Sequence, residues 1–394
     1  MAIRSAMTPP GPASGVGVTF VHSADWQLGM MRRTLAPEAQ YRYGHARLDA
    51  IERIGAVAHE TGAAFVLVAG DVFDANLVDR QVVLRTCEVL REITCPVLLL
   101  PGNHDSLEPG TVWTSPTLTA HLPSQVEVLL DSEPCRPVEG VEVVGVPWRT
   151  RRPAADPLGD VAALPALAEP PPDGTYRILV GHGQVESLAP DVGEPTQIVE
   201  EPLVRALAEG RLHYVALGDR HSRTPVGDTG RIWYSGTPEP TRPEEERPGE
   251  VLAVTLTASD CAVRPVRVGT WRLVSHVVDL DGDAGLDRLA DWLGEQPDKA
   301  RTVVRLGVRG SLSVAGLVRL EMLVDAQEEV YAGIQRSRRH WSVEVVPDEA
   351  TFDQLPVTGP ARAALEELRL ASGSGDTQAA DALALLHRLA GGAA

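Results

Sequence analysis

The apolar positions of this chain fall into two rhythms. Short unbroken runs at Phe20-Val21, Phe65 to Ala69, Val97 to Leu100, Ile178 to Val180 and Tyr214 to Leu217 read as buried strands bounded by turn residues. Between the early runs the period lengthens. Leu48, Ile51, Ile54 and Val57 form one helical stripe over 45–60, and a second helix is expected over 79–93. This strand–helix–strand alternation predicts crossover units, after which runs at 126–130, 141–146, 232–234 and 251–256 predict a mostly β continuation. The Pro- and Ala-rich stretch 153–172 lacks periodicity and is expected to be a surface insertion.

A new alternation begins near Trp271. Strands at 273–280, 302–308 and 341–346, with helices at 285–293 and 313–334, make a small α+β module. Two tail helices follow, at 362–370 and 377–390, with Asp376 as the N-cap of the second. Helices this short are marginal alone in water. The faces carrying Leu365 with Leu368, and Leu383 with Leu386, must therefore dock on their own domain or on another protein. The expected divisions are a disordered leader at 1–15, a main domain at 16–268, the α+β module at 269–350 and the helical tail at 351–394.

Composition changes the picture in two ways. The chain has 394 residues and a formal net charge of −18, an unfavourable field for any polyanionic partner. Binding such a partner would need local arginine clusters, and the candidates are Arg32 with Arg33, then Arg149, Arg151 and Arg152, then Arg220 with Arg223. The 4 cysteines are scattered without metal spacing, no apolar run is long enough to span a membrane, and the leader lacks a signal-peptide core. A reducing cytoplasm is the expected compartment. Trp26 and Trp148 read as packing residues rather than base-stacking platforms.

The chemistry sits at the ends of the apolar runs. They stop at Asp25, Asp71, Asn103-His104-Asp105, His182 and Asp219 with His221. Sites in α/β sheets lie beyond the carboxyl ends of strands. Carboxylates, an amide oxygen and imidazoles gathered there suit a pair of divalent ions. In order, the motifs are Asp25-Trp26-Gln27, Gly70-Asp71-Val72-Phe73-Asp74, Gly102-Asn103-His104-Asp105, Gly181-His182 and Gly218-Asp219-Arg220-His221. This series resembles the calcineurin-like metallophosphoesterases. The stretches His22 to Gly29 and Tyr234-Ser235-Gly236-Thr237-Pro238-Glu239 narrow the resemblance to the SbcD-type DNA exonuclease subunits.

The resemblance implies an αββα sandwich with a smaller α+β cap domain and a helical tail. It implies two divalent metal ions, held by Asp25, Gln27, Asp71, Asn103, His182, Asp219 and His221, with Asp71 bridging, and the oxygen-rich donors make Mn²⁺ the expected ion, with Mg²⁺ next. The implied reaction is phosphodiester hydrolysis by metal-activated hydroxide. His104 would be the general acid and Asp105 the carboxylate that orients it, while His22 and Asp74 would hold the metal ligands in place. Implied partners are DNA and an SMC-like coiled-coil ATPase of the SbcC type in a DNA repair complex, with a homodimer also compatible. Two positions depart from the family pattern, Gln27 and Asp219, where His is usual. Both exchanges move the site from nitrogen toward oxygen donors, which suits Mn²⁺ and Mg²⁺. A small-molecule phosphodiesterase or phosphatase, and a weakly active scaffold for the ATPase, are the competing readings.

Overall fold

The structure is a computed structural model that describes residues 17–156, 158–159, 161–189, 194–345 and 357–391. The expected leader, and the last residue of the 341–346 strand, lie outside them. The chain divides into two compact units, residues 1–32 with 40–271 and residues 33–39 with 272–394.

In the first unit the chain runs β1 (Val18–Ser23), α1 (Pro37–Thr61), β2 (Val66–Val68), α2 (Arg80–Arg91), β3 (Val97–Leu99), α3 (Pro116–His121), β4 (Val126–Val128) and β5 (Val141–Gly145). It continues with β6 (Tyr176–His182), α4 (Glu200–Ala208), β7 (Tyr214–Gly218), β8 (Thr224–Pro225), β9 (Ile232–Tyr234), β10 (Glu250–Leu256) and β11 (Cys261–Arg267). Among the described residues, these strands form a sheet of order β11-β10-β1-β2-β3-β4 and another of order β5-β6-β7-β9-β8. β1, β2, β3 and β4 pair in parallel, as do β5, β6, β7 and β9.

Alternation along the strands explains the layers. Val21, Val66, Val68 and Val97 face the stripe of α1 and α2, where Ile51, Ile54, Val83 and Leu90 are buried. Phe20, Phe65, Leu67 and Leu98 face the other way and meet Ile178, Val180, Tyr214 and Ala216 of the second sheet. Leu179, Val215 and Leu217 turn outward onto Leu203 and Ala206 of α4. Helix, sheet, sheet and helix stack in that order, so the first unit is an αββα sandwich. The parallel strands end together, which sets the motif-bearing turns side by side.

One expectation changes here, and two elements add to those expected. The 153–172 stretch is not a mere surface insertion, because Leu158, Val161 and Leu167 are buried against the second sheet and α4. Its apolar residues sit on short 3₁₀ turns at Val161–Ala163 and Pro165–Leu167, which leave no period to read. The helix α4 and the strand β11 are not predicted by the apolar pattern. β11 is an edge strand with Pro265 inside it and alternating exposure, which weakens its apolar signal.

The second unit holds β12 (Arg272–Asp281), α5 (Asp283–Glu295), β13 (Thr302–Leu312), α6 (Val314–Glu328) and β14 (Gly333–Val345), its strands forming one parallel sheet. The long helix expected over 313–334 stops at Glu328, and Ile334 belongs to β14. Tyr331 falls on the helical period but is turned into the core, donating to Leu293 O at 2.7 Å. The last helices are α7 (Pro360–Gly373) and α8 (Thr377–Gly391), and Asp376 caps α8 through Gln378 N at 2.9 Å. Leu365 and Leu383 are fully buried on Val314 of α6, joined by Leu368 and Leu386. Each such burial contributes about 1.5–3 kcal/mol, so the apolar faces of the tail are satisfied within their own unit. Among the described residues, no helix is long and apolar enough to cross a membrane.

Candidate metal centre

Strained turns carry the site. Asp25, Gln27, Asp71 and Asp219 have φ of 54°, 45°, 53° and 93°, a region that side chains other than glycine avoid. Such conformations persist only where surrounding structure holds them, and they gather at functional sites. Backbone bonds hold these: Asp25 N donates to Gly70 O at 3.0 Å and Gln27 N to Asp71 O at 2.9 Å. The turns after β1 and β2 are thereby laced together, with both aspartates buried. Asp25 accepts from Asp219 N at 3.1 and 3.2 Å, which ties in the turn after β7.

Glycines allow the close approach. A Cβ on Gly102 would lie 2.2 Å from Asp71 Oδ1, and one on Gly218 would lie 1.8 Å from Ala69 O. That carbonyl of Ala69 accepts from His182 Nδ1 at 2.8 Å. Nε2 of a neutral His182 is then an acceptor, yet it faces Asn103 Oδ1, another acceptor, at 3.1 Å. Two lone pairs so placed call for a proton or a cation between them. The same Nε2 lies 3.5 Å from Asp71 Oδ1 and 3.8 Å from Asp219 Oδ1.

The donor set fits divalent ions. Ligand atoms of Asp25, Asp71 and His182 all lie within 4.8 Å of one another. On the other side, His221 Nε2 is 3.8 Å from Asp25 Oδ1 and 3.2 Å from Gln27 Nε2. Gln27 Oε1 is buried without a hydrogen-bond partner, a donor oxygen that a cation would satisfy. Burial pushes Asp25 up to about 6, against the pull of His221 and His182. Burial likewise raises Asp219. At Asp71 burial acts upward too, but His182 and His104 outweigh it and hold the carboxyl below its usual range. His182, disfavoured as a cation by burial, is raised well above the ordinary histidine value by Asp71, Asp25 and Asp219. Positive charge is what this cluster stabilises.

The remaining candidates divide. His104 lines the cleft, with Nδ1 2.8 Å from Asp74 O and Nε2 3.9 Å from Asp71 Oδ2, so Asp74 meets the expected proton donor rather than an expected metal ligand. Asp105 does not orient that ring. Its oxygens accept from Phe73 N at 2.9 Å and Gly102 N at 2.7 Å, stapling the turns after β2 and β3 together. Burial and the charge of Asp71 push it up to about 7. His22 is also not a support for the ligands: it is buried between the sheets, 3.1 Å from the Tyr214 hydroxyl, and burial lowers it to about 3.

Several arginines expected to meet DNA are engaged elsewhere. Arg32 donates to Thr241 O and Arg223 pairs with Glu250 at 2.7 Å, whereas Arg220, which donates to Thr224 Oγ1 at 2.9 Å, lines the cleft. Arg33, Arg149, Arg151 and Arg152 are exposed. Trp26 and Trp148 are buried, and Trp148 donates to His182 O at 2.5 Å.

The cleft at this centre measures about 520 Å³, and Gln184, Thr241, Arg242 and Glu245 join the expected residues in its walls. Sequence reading missed these. The Tyr234 to Glu239 motif turns out to be a brace: Thr237 donates to Asp25 O at 2.8 Å and Tyr234 to Gly183 O at 2.7 Å. Glu239 accepts from Arg53 at 3.1 Å and from Trp271 N at 2.9 Å.

A family profile described as calcineurin-like phosphoesterase matches residues 18–236. No curated protein sequence matches the chain. Among solved structures, a dimetal phosphatase from Danio rerio is similar at 14% identity and TM-score 0.39, covering 63% of this chain and 98% of its own. GAP50, the anchor in the inner membrane complex of Plasmodium, is similar at 11% identity and TM-score 0.41, covering 64% of this chain and 85% of its own.

Proposed function

Since the chain belongs to the calcineurin-like phosphoesterase family, we propose that it is a DNA nuclease of the SbcD type, dependent on two divalent ions. The observation that carries the phosphodiesterase reading is the convergence of Asp25, Asp71 and His182, of which Asp71 lines the cleft beside Asn103, His104, Asp219 and His221. One ion would be held by Asp25, Asp71 and His221 with Gln27, the other by Asp71, Asn103, His182 and Asp219. With these oxygen-rich donors Mn²⁺ is favoured over Zn²⁺. Bound there, two such ions balance charge on a phosphate and ease loss of a proton from water. The chain itself orients the phosphate through its cleft walls. His104, anchored through Nδ1 to Asp74 O, offers the Nε2 proton to the departing oxygen.

DNA as substrate rests on the motifs at His22 to Gly29 and Tyr234 to Glu239 and on the exposed arginines 149, 151 and 152. Their loop adjoins the Gly102 turn, since Trp148 N donates to Pro101 O at 3.2 Å. An SMC-like ATPase partner belongs to the same reading. Leu370 of α7 and Leu385 of α8 are exposed and would be the tail residues open to it. A second reading, hydrolysis of a small phosphodiester, is favoured by the net charge of −18 and by the engagement of Arg32 and Arg223 within the fold.

Labelled single- and double-stranded DNA, incubated with the chain and Mn²⁺, separates the two. Nucleotide release is expected, falling when the three loop arginines are replaced by Glu while cleavage of bis(p-nitrophenyl) phosphate is kept. Intact DNA beside rapid cleavage of the small diester would remove DNA as the substrate.

A further inference from the structure

His221 is gripped from behind. Its Nδ1 lies 2.9 Å from Glu245 Oε1 and 2.6 Å from Thr241 Oγ1. The second carboxylate oxygen, Glu245 Oε2, accepts from Thr241 N at 2.9 Å, and the Thr241 hydroxyl donates to Oε1. Only 7% of the Glu245 side chain is exposed. Thr241 is pinned in turn by Arg32, which donates to its carbonyl.

We propose that Glu245 is a positioning residue of the metal centre: it accepts the Nδ1–H hydrogen bond of His221 and so keeps the Nε2 lone pair directed at the ion site. This rests on the metal-dependent reading above. A neutral imidazole carries one N–H, and the partner of one nitrogen decides which tautomer the other presents. Here the acceptors stand at Nδ1, while Nε2 faces Asp25 at 3.8 Å and the Gln27 amide at 3.2 Å. A carboxylate behind a ligating histidine also raises its basicity and fixes its ring plane.

The geometry makes an unusual ranking of variants. In Glu245→Gln the amide oxygen must occupy the Oε2 position, because Thr241 N donates there. The NH₂ group then faces Nδ1 as a donor and drives the proton onto Nε2, where it blocks the lone pair. Glu245→Ala leaves the Thr241 hydroxyl 2.6 Å from Nδ1, able to accept from it as well as to donate, so the useful tautomer stays accessible. The near-isosteric change should therefore do more harm than the truncation, the reverse of what a packing role gives.

The test uses the full chain. Ring ¹⁵N shifts of His221 are recorded without metal at alkaline pH, Mn²⁺ is titrated calorimetrically, and thermal unfolding confirms that each variant is folded. The wild type is expected to carry its proton on Nδ1, and Glu245→Gln on Nε2. Affinity for one ion should fall about 10–100-fold in Glu245→Gln, and less in Glu245→Ala. A wild-type proton on Nε2, wild-type ion binding by Glu245→Gln, or a larger loss in Glu245→Ala would each overturn the proposal. If Glu245→Gln does not fold, the wild-type tautomer decides. A wild type that binds no divalent ion would instead defeat the metal reading, and the tautomer would still settle what Glu245 does.

Discussion

Replacing His104 with alanine is expected to lower turnover by about 10²–10⁴-fold, the usual worth of a positioned proton donor, while ion content stays at the wild-type level. The His104 ring reaches the centre through Nε2, 3.9 Å from Asp71, and its other nitrogen is committed to Asp74 O. Its backbone N–H, which donates to Asp71 Oδ1 at 2.9 Å, survives the substitution. His182→Ala should behave differently. That ring is fully buried and stands among Asn103, Asp71 and Asp219, so its loss should empty one ion position before it touches any chemical step. Single-turnover rates measured beside Mn²⁺ stoichiometry separate the two. Loss of an ion from His104→Ala, or identical behaviour of both variants, would break this assignment of roles.

Gly102→Ala is expected to abolish the site as thoroughly as loss of a ligand. The added methyl would sit 2.2 Å from Asp71 Oδ1 and 2.4 Å from Asp71 N, and a backbone atom held in a strained turn has nowhere to go. Overpacking of this kind costs about 1–3 kcal/mol of stability. A displacement of about 1 Å at the reacting centre costs about 10²-fold in rate. Gly44→Ala is the control: it lies within α1 with nothing within 4 Å of the new Cβ. There the change should be neutral or stabilising by about 0.5–1 kcal/mol. Unfolding curves and ion affinity of the two variants check both halves, and equal behaviour would refute the packing argument.

What could be read in the sequence was whatever a strand end announces. Asp25, Asp71, Asn103 and His182 end apolar runs, and parallel strands that stop together must gather them. Glu245 announces nothing, since it stands in the run Glu244 to Glu246, which reads as solvated surface, and only the fold brings it behind His221. The task expected of Asp105 fails for a related reason. Adjacency to His104 in sequence says nothing of direction, and its oxygens are drawn to the backbone N–H groups of Phe73 and Gly102. Arg32 and Arg223 looked like free cations because their acceptors, Thr241 O and Glu250, are far away along the chain. At β14 the helical period ran on by coincidence, and pairing with β13 overrode it.

The most direct test of the account is a titration of the metal-free chain with Mn²⁺, following ion binding and cleavage of bis(p-nitrophenyl) phosphate in the same samples. Two ions should bind per chain, hydrolysis should rise with occupancy, and a chelator should abolish it. A chain that binds no ion at this centre, or that cleaves the diester equally well in chelator, would contradict the claim that Asp25, Asp71 and His182 form the heart of a metal-dependent phosphodiesterase.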